Sequence, residues 1–272
     1  MTGQTIGIIG GAGWLGRSIA AALVGNEFVQ PQSMILSSRS GKLREPVEAL
    51  GDVRMTDDNR FLVAHSDVVI LSVRPEDLAS VHINVQDKLL ISLVAGVPLA
   101  DIQLLTGGAR VVRAMPNAAL EIGKSYTPWL ANEQVDAVSR SYVQQLFATC
   151  GSADEVADEA QLDYLAALSG TGPAYPALLA QALYHDALAH GVPEHVARRA
   201  VNGVVVHASQ LINQGRSFEE LLETLKNYRG VSAAGIEGML AGGFERSVSG
   251  GVNRAFGVAQ SKLFDVHKPR QD

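Results

Sequence analysis

The run Thr5-Ile-Gly-Ile-Ile-Gly-Gly-Ala-Gly-Trp-Leu-Gly16 constrains the fold of this chain more than any other stretch. Ile6 to Ile9 is an apolar β-type run, and Arg17-Ser-Ile-Ala-Ala-Ala-Leu23 carries a helical pattern. Between them the chain must pass from strand to helix through Gly11-x-Gly13-x-x-Gly16. Gly11 is expected to permit the turn, Gly13 to remove a side chain that would block a pyrophosphate, and Gly16 to let helix pack on strand. The unpaired N–H groups and the dipole of the helix N-terminus then face an anion. Gly11, Ala12, Gly13, Trp14, Leu15 and Gly16 are therefore candidates for dinucleotide binding. The alternative is a tight strand–helix turn with no ligand.

The first part of the chain continues in the same rhythm. Ile6–Ile9, Met34–Ser37, Val68–Ser72, Leu89–Leu93 and Val111–Ala114 read as strands, apolar on both faces as buried parallel strands are. Helical patterns lie between several of them, and Tyr126–Leu130 and Ala153–Val156 are candidate edge strands. From Asp158 the strand signals stop. Glu159–Leu168, Pro173–His190, Glu194–Gln214, Ser217–Lys226 and Ala233–Ala241 read as helices, with Pro173 suited to a first turn and Gly191 to a C′ position. The expectation is an α/β protein: a Rossmann-type doubly wound sheet over 1–157, followed by an all-helical domain over 158–272. Pro173 to Leu188 is apolar on nearly every face, which demands burial all round. One small helical domain cannot supply that cover, so a homodimer is expected.

Composition narrows the partners. The 272 residues are 47% hydrophobic and 18% charged, with a formal net charge of −6 and no basic run. Nucleic acid and anionic membrane surfaces are poor partners for such a chain. No uncharged apolar stretch is long enough to span a bilayer. The single cysteine, Cys150, excludes an intramolecular disulfide and reads as a small buried hydrophobe, with a nucleophile as the other reading. With no signal-peptide pattern at the N-terminus, a cytoplasmic protein is expected.

The second strand bears on the cofactor. NAD-binding proteins place an acid at its end to receive the ribose hydroxyls. Here the strand runs Leu36-Ser37-Ser38-Arg39-Ser40, with no acid. Ser38 and Arg39 suit a 2′-phosphate instead, so NADP(H) is expected ahead of NAD(H); the alternative is a solvated surface arginine. The seven histidines form no metal-ligand pattern, and no metal is expected. No histidine or lysine stands out as an acid–base partner for a ketone. A protonated imine needs none, because hydride delivery completes its difficult step and the protein has mainly to position it.

Two stretches look built to hold a small anion. One is Ser169-Gly170-Thr171-Gly172, leading through Pro173 into the apolar helix; the other is Gly230-Val231-Ser232-Ala233, opening a later helix. Both read as helix N-termini with spare N–H groups and hydroxyls, the usual cradle of a carboxylate. Ordinary capping by Thr171 or Ser232 is the other reading.

With these runs in view, the chain resembles the pyrroline-5-carboxylate reductase family over nearly its whole length. The resemblance rests on Gly11-x-Gly13-x-x-Gly16, Asn59, Asp67-Val-Val-Ile-Leu-Ser-Val-Arg-Pro75, Ser92-Leu-Val-Ala-Gly96, Arg113-Ala-Met-Pro-Asn117 and Ser169-Gly-Thr-Gly-Pro-Ala-Tyr175. It implies reduction of 1-pyrroline-5-carboxylate to proline with NAD(P)H, and a helical domain interlocked with that of a second subunit, in some members within rings of dimers. It implies that Val73, Arg74, Pro75, Ala95 and Gly96 border the nicotinamide half of the cofactor, that Met115, Pro116 and Asn117 line the same cleft, and that Asn59 reaches the adenosine side. Thr171 and Ser232 are the candidate hydrogen-bonding groups at the reacting imine. Two departures stand out. Arg74 replaces the family's usual lysine, and Asn227-Tyr-Arg-Gly-Val-Ser232 replaces a Ser-Pro-Gly-Gly-Thr-Thr-like substrate loop, leaving Val231 where a hydroxyl is usual. A related reductase of another cyclic imine or imino acid, and a non-catalytic NADP-binding relative, are the alternatives.

Overall fold

The computed structural model describes residues 3–43, 45–213 and 215–261. Gln214, expected to end one helix, and 262–272, part of the expected helical domain, lie outside the described residues. By internal contacts the chain divides into two compact units, one of residues 1–171 and 255–272, the other of residues 172–254.

The first unit is built on an eight-stranded sheet in the order β3-β2-β1-β4-β5-β6-β7-β8. The strands are β1 (Ile6–Ile9), β2 (Met34–Ser37), β3 (Arg54–Thr56), β4 (Val68–Leu71), β5 (Leu89–Ser92), β6 (Arg110–Ala114), β7 (Ser125–Ala131) and β8 (Gly151–Glu155). β1 to β6 run parallel, in the order of a doubly wound dinucleotide fold. β7 pairs antiparallel with β6 and parallel with β8. Every residue of β1, β2, β4 and β5 is buried, which is why these strands read as unbroken apolar runs. Helices α1 (Trp14–Gly25), α2 (Asn59–Ala64), α3 (Leu99–Thr106) and α4 (Ala137–Ala148) link or cover them. Two apolar layers result. One holds Ile6, Ile8, Ile19, Leu23, Leu36, Ile70, Ile91, Val112, Trp129 and Phe147, with Cys150 wholly buried among them. The other holds Ile9, Leu62, Val69, Leu71, Leu90, Ile102 and Val111.

α5 (Glu159–Leu165) also belongs to this unit, and Asp158 caps it by accepting from the Gln161 N–H. Leu162 is fully buried against Met115 and Leu130, a contact worth about 1.5–3 kcal/mol for a leucine. α5 runs on into a π-turn, Ala166–Gly170.

The second unit is helical: α6 (Ala174–Ala189), α7 (Glu194–Asn202), α8 (Phe218–Asn227), α9 (Val231–Ala241) and most of α10 (Phe244–Gln260). The expected helix 194–214 divides into α7, a π-turn over Gly203–His207 and a 3-10 segment over Ala208–Asn213. Ser217 starts α8 with a reciprocal capping box to Glu220, and Gly191 beyond α6 takes φ +77°. Among the described residues of this unit only Ala197, Val201 and Val252 are buried. No residue of α6 is buried, so the described residues do not supply the cover its apolar faces require. No described helix is long and apolar enough to cross a membrane.

Candidate active site

The parallel topology brings the C-terminal ends of β1, β2, β4, β5 and β6 to one edge, and most of the expected cofactor residues stand there. At the end of β1 the chain turns at Gly10, the residue in the left-handed region at φ +77°. A Cβ on Gly10 would lie 2.4 Å from the Ser72 carbonyl oxygen, so both conformation and space require glycine. This corrects the expected role of Gly11. Gly11 does not take a positive φ; it makes room, since its Cβ would meet the Ile8 carbonyl and the Leu36 side chain at 2.9 Å. Gly16 lets α1 approach the turn, where a Cβ would meet the Gly10 carbonyl at 2.9 Å. Gly13 is the N-cap of α1 and supplies no side-chain cap. The first N–H groups of α1, at Trp14, Leu15 and Gly16, therefore face the end of the sheet without a capping side chain, as an anion cradle requires. Ala12 is buried behind them, while Gly13 and Trp14 are exposed.

Beyond β2, Ser38 stays in the sheet hydrogen bonding through its N–H to Thr56, and its hydroxyl donates to the Lys42 carbonyl. The Arg39 side chain is 91% exposed and, among the described residues, makes only a 3.7 Å ion pair with Asp77, from the turn that follows β4. Asn59 begins α2 and accepts the Ser37 hydroxyl at 2.6 Å, which sets it beside the end of β2. After β4, Ser72 donates its N–H to Ile9, keeping Val73, Arg74 and Pro75 next to the glycine turn. After β5, Leu93 donates to Leu71, and the chain then exposes Ala95 and Gly96, the latter at φ +69°. After β6, Met115 is buried and donates to the Pro128 carbonyl, while Pro116 and Asn117 are half-buried. Among the described residues no group of three or more His, Cys, Asp or Glu side chains is placed to hold a metal ion.

The two expected anion cradles differ. Ser169, Gly170 and Thr171 do not form a helix N-terminus. Ser169 and Gly170 close the π-turn after α5, and Thr171 follows in helical conformation. The Ser169 hydroxyl donates to Leu165 and the Thr171 hydroxyl to Ala167, each four residues back. Gly172 follows in the second unit, and with prolines at 173 and 176 the start of α6 offers few N–H donors. π-turns of this kind are common at functional sites. The second stretch does form a cradle. Gly230 is the N-cap of α9 at φ +94°, after Arg229 at φ +50°. No side chain caps the helix, so the N–H groups of Val231, Ser232 and Ala233 are held in its first turn without a capping oxygen. Ser232 is exposed and Val231 is 92% exposed.

Comparison with known proteins gives this arrangement a family. A family model for pyrroline-5-carboxylate reductase dimerisation matches residues 159–262, and one for NADP oxidoreductase, coenzyme F420-dependent, matches residues 5–96. A pyrroline-5-carboxylate reductase of Glycine max is 31% identical, over 85% of this chain and 86% of the relative. That of Pseudomonas aeruginosa is 31% identical, over 81% and 84%. The chain belongs to the pyrroline-5-carboxylate reductase family. The structure of a pyrroline-5-carboxylate reductase from Coxiella burnetii superposes with a TM-score of 0.84 at 27% identity, over 97% of this chain and 99% of that one.

Within this family fold, one buried group was not singled out by the sequence. Arg113, in β6, is 2% exposed. Its guanidinium lies 3.0 Å from Asp163 Oδ1 and 3.4 Å from Glu159 Oε1, both on α5. Glu159 also accepts the Leu99 N–H at 2.6 Å. Burial raises the Asp163 carboxyl above the usual carboxylate range, Arg113 pulls it down, and Glu159 adds to the rise. Arg113 passed unmarked inside a strand read as apolar, because its partners lie far away in sequence; only the helical spacing of Glu159 and Asp163 hints that they share a face.

Asp163→Ala should lower unfolding free energy by about 2–3 kcal/mol near neutral pH, because it leaves a buried guanidinium with one partner. The pH dependence follows from the raised carboxyl. The folded state then binds that proton more tightly than the unfolded state. The wild type's advantage over Asp163→Ala is largest below the ordinary carboxylate pKa and shrinks as pH rises through the folded one. Urea titrations of both proteins across the acid range would show it; an advantage that grows with pH would contradict it.

Proposed function

We propose that this chain is an NADPH-dependent oxidoreductase that reduces 1-pyrroline-5-carboxylate to proline. The observation that carries the reading is the edge described above: an uncapped α1 N-terminus behind a turn only glycine can make, with the ends of β2, β4, β5 and β6 on the same side. Family membership supplies the substrate class. Gly11 to Gly16 hold the pyrophosphate, Ser38 and Arg39 the 2′-phosphate, and Asn59 the adenosine side. Val73 to Pro75, Ala95, Gly96 and Met115 to Asn117 border the nicotinamide. The loose, exposed Arg39–Asp77 pair costs little to break, so Arg39 is available to a phosphate. NADPH is preferred over NADH on this account. When bound, the cofactor supplies the hydride.

The substrate carboxylate takes the N–H groups of Gly230 to Ala233 at the start of α9, where the helix dipole also favours an anion. Thr171 and Ser232 hydrogen-bond the imine nitrogen or the carboxylate, with Ser169, Gly170 and Gly172 shaping the turn around Thr171. A hydroxyl carries two acceptor lone pairs besides its proton, the polarity that an iminium N–H requires. No strong base is needed. Segment 158–272 acts as the dimer-building half. Its exposed apolar side chains, Leu178 of α6 itself together with Val204, Val206, Leu211 and Met239, are the surface that two copies cover for each other. The partner for that surface is a second copy of this chain.

A second reading has its own support. Val231 removes a hydroxyl from the substrate loop and Arg229 adds a charge beside it, which favours another cyclic imino acid. A panel of five- and six-membered cyclic imine carboxylates, followed by NADPH oxidation and product identification, separates the two. The proposal expects 1-pyrroline-5-carboxylate to be turned over fastest, with NADH slower and the gap narrowed by Arg39→Asp. Val231→Thr, which restores one hydrogen bond, should raise kcat/KM on that substrate by about tenfold. Faster turnover of another imine, with no gain from Val231→Thr, establishes the second reading. No turnover of any imine despite NADPH binding would end the enzyme assignment.

The quaternary proposal is tested separately. Sedimentation at micromolar concentration should find a dimer as the smallest folded species. A folded, soluble monomer would contradict it.

A further inference from the structure

The segment from Asn117 to Ile122 connects two parts of the first unit that the proposed chemistry must bring into register. Asn117 follows β6 at the dinucleotide edge, and its N–H donates to the buried Ser125 hydroxyl at 3.0 Å. Its side chain is used at both ends. Oδ1 accepts the Ala119 N–H at 2.9 Å and so caps the 3-10 turn Ala118–Ile122. Nδ2 donates to the Ser169 carbonyl at 3.0 Å, a contact across 52 residues of sequence. At the far end of the same turn, Glu121 accepts the indole N–H of Trp14, the first residue of α1. The turn is thereby fastened to the dinucleotide helix on one side and to the π-turn of Ser169 on the other. Arg113, four residues before Asn117, fixes α5, from which that π-turn continues.

We propose that Asn117 is a positioning residue: through Nδ2 it sets the Ser169–Thr171 turn relative to the nicotinamide end of the sheet, and it does so without binding the cofactor through its side chain. This rests on the reductase reading for its effect on turnover, but the contact can be tested without turnover. The two halves of the amide separate the roles. Capping uses the oxygen; positioning uses the nitrogen. Aspartate keeps an excellent cap and replaces the donor facing Ser169 with an acceptor, so two oxygens confront each other.

Asn117→Asp should therefore leave the 3-10 turn intact and release the π-turn. In hydrogen–deuterium exchange of the full-length protein, peptides covering 166–171 should exchange faster than in the wild type, while those covering 118–122 stay unchanged. In steady-state assays kcat should fall about 10- to 100-fold, the range of a lost and reversed hydrogen bond, with the KM for NADPH within about twofold of the wild type. Asn117→Ala, which removes cap and donor together, should speed exchange in both segments. A purely structural cap predicts that Asn117→Asp behaves as the wild type in both measurements, and that result would overturn the proposal. So would a rise in the KM for NADPH with kcat unchanged, which would make the side chain a cofactor ligand. If the wild type reduces no imine, the reductase reading fails on its own, and the exchange of 166–171 in Asn117→Asp still decides the role of Asn117.

Discussion

A buried positive charge holds the active-site edge together. Arg113 lies inside the sheet, between β5 and β7, where a lone guanidinium would be prohibitively costly. It is tolerable because α5 brings Asp163 and Glu159 to it. The requirement runs both ways: the charge fixes where α5 can lie, and Leu162 then fills the apolar contact with Met115 and Leu130. Once α5 is fixed, the π-turn that continues it is fixed as well, and the Ser169 carbonyl comes within reach of Asn117. A salt bridge of this kind adds little net stability compared with an apolar replacement. What the pair does fix is geometry: both α5 carboxylates lie within 3.4 Å of the one buried guanidinium.

The opposite arrangement governs the helical unit. There many apolar side chains, among them Leu178, Val204 and Met239, are exposed among the described residues, and Val231 at the mouth of α9 is 92% exposed. On the dimer proposal, the same surface that carries the substrate cradle depends on a second copy for burial. Substrate selection and assembly are then linked through one set of helices.

Much of the sheet was legible because buried parallel strands are apolar on both faces, and β1, β2, β4 and β5 have no exposed residue. β3 was not, because Arg54-Met-Thr56 is a short edge strand without an apolar run. α10 was also missed: Ser247, Ser249, Gly250, Gly251 and Gly257 are weak helix formers, and only one of its residues, Val252, is buried. The π-turns escaped because their residues continue a helical pattern without a break in composition. At the site, the glycine loop announced itself, but the residue with positive φ is Gly10, one step before the motif glycine. In Gly10-Gly11 the spacing rule cannot tell which residue bends and which makes room. Asn117 stood out in sequence within its motif, whereas its bond to Ser169 did not, because nothing local in sequence marks a contact fixed by the seating of α5.

The reductase proposal stands on direct hydride delivery to the imine carbon of a substrate whose carboxylate is held on a different ring carbon. The most direct test supplies NADPH deuterated on the transferring face of C4 with 1-pyrroline-5-carboxylate and locates the label in the product by NMR. Direct delivery places one deuterium on the proline ring carbon bonded to nitrogen and remote from the carboxyl group. Deuterium on the carboxyl-bearing carbon, or unlabelled proline with solvent hydrogen in its place, would contradict it.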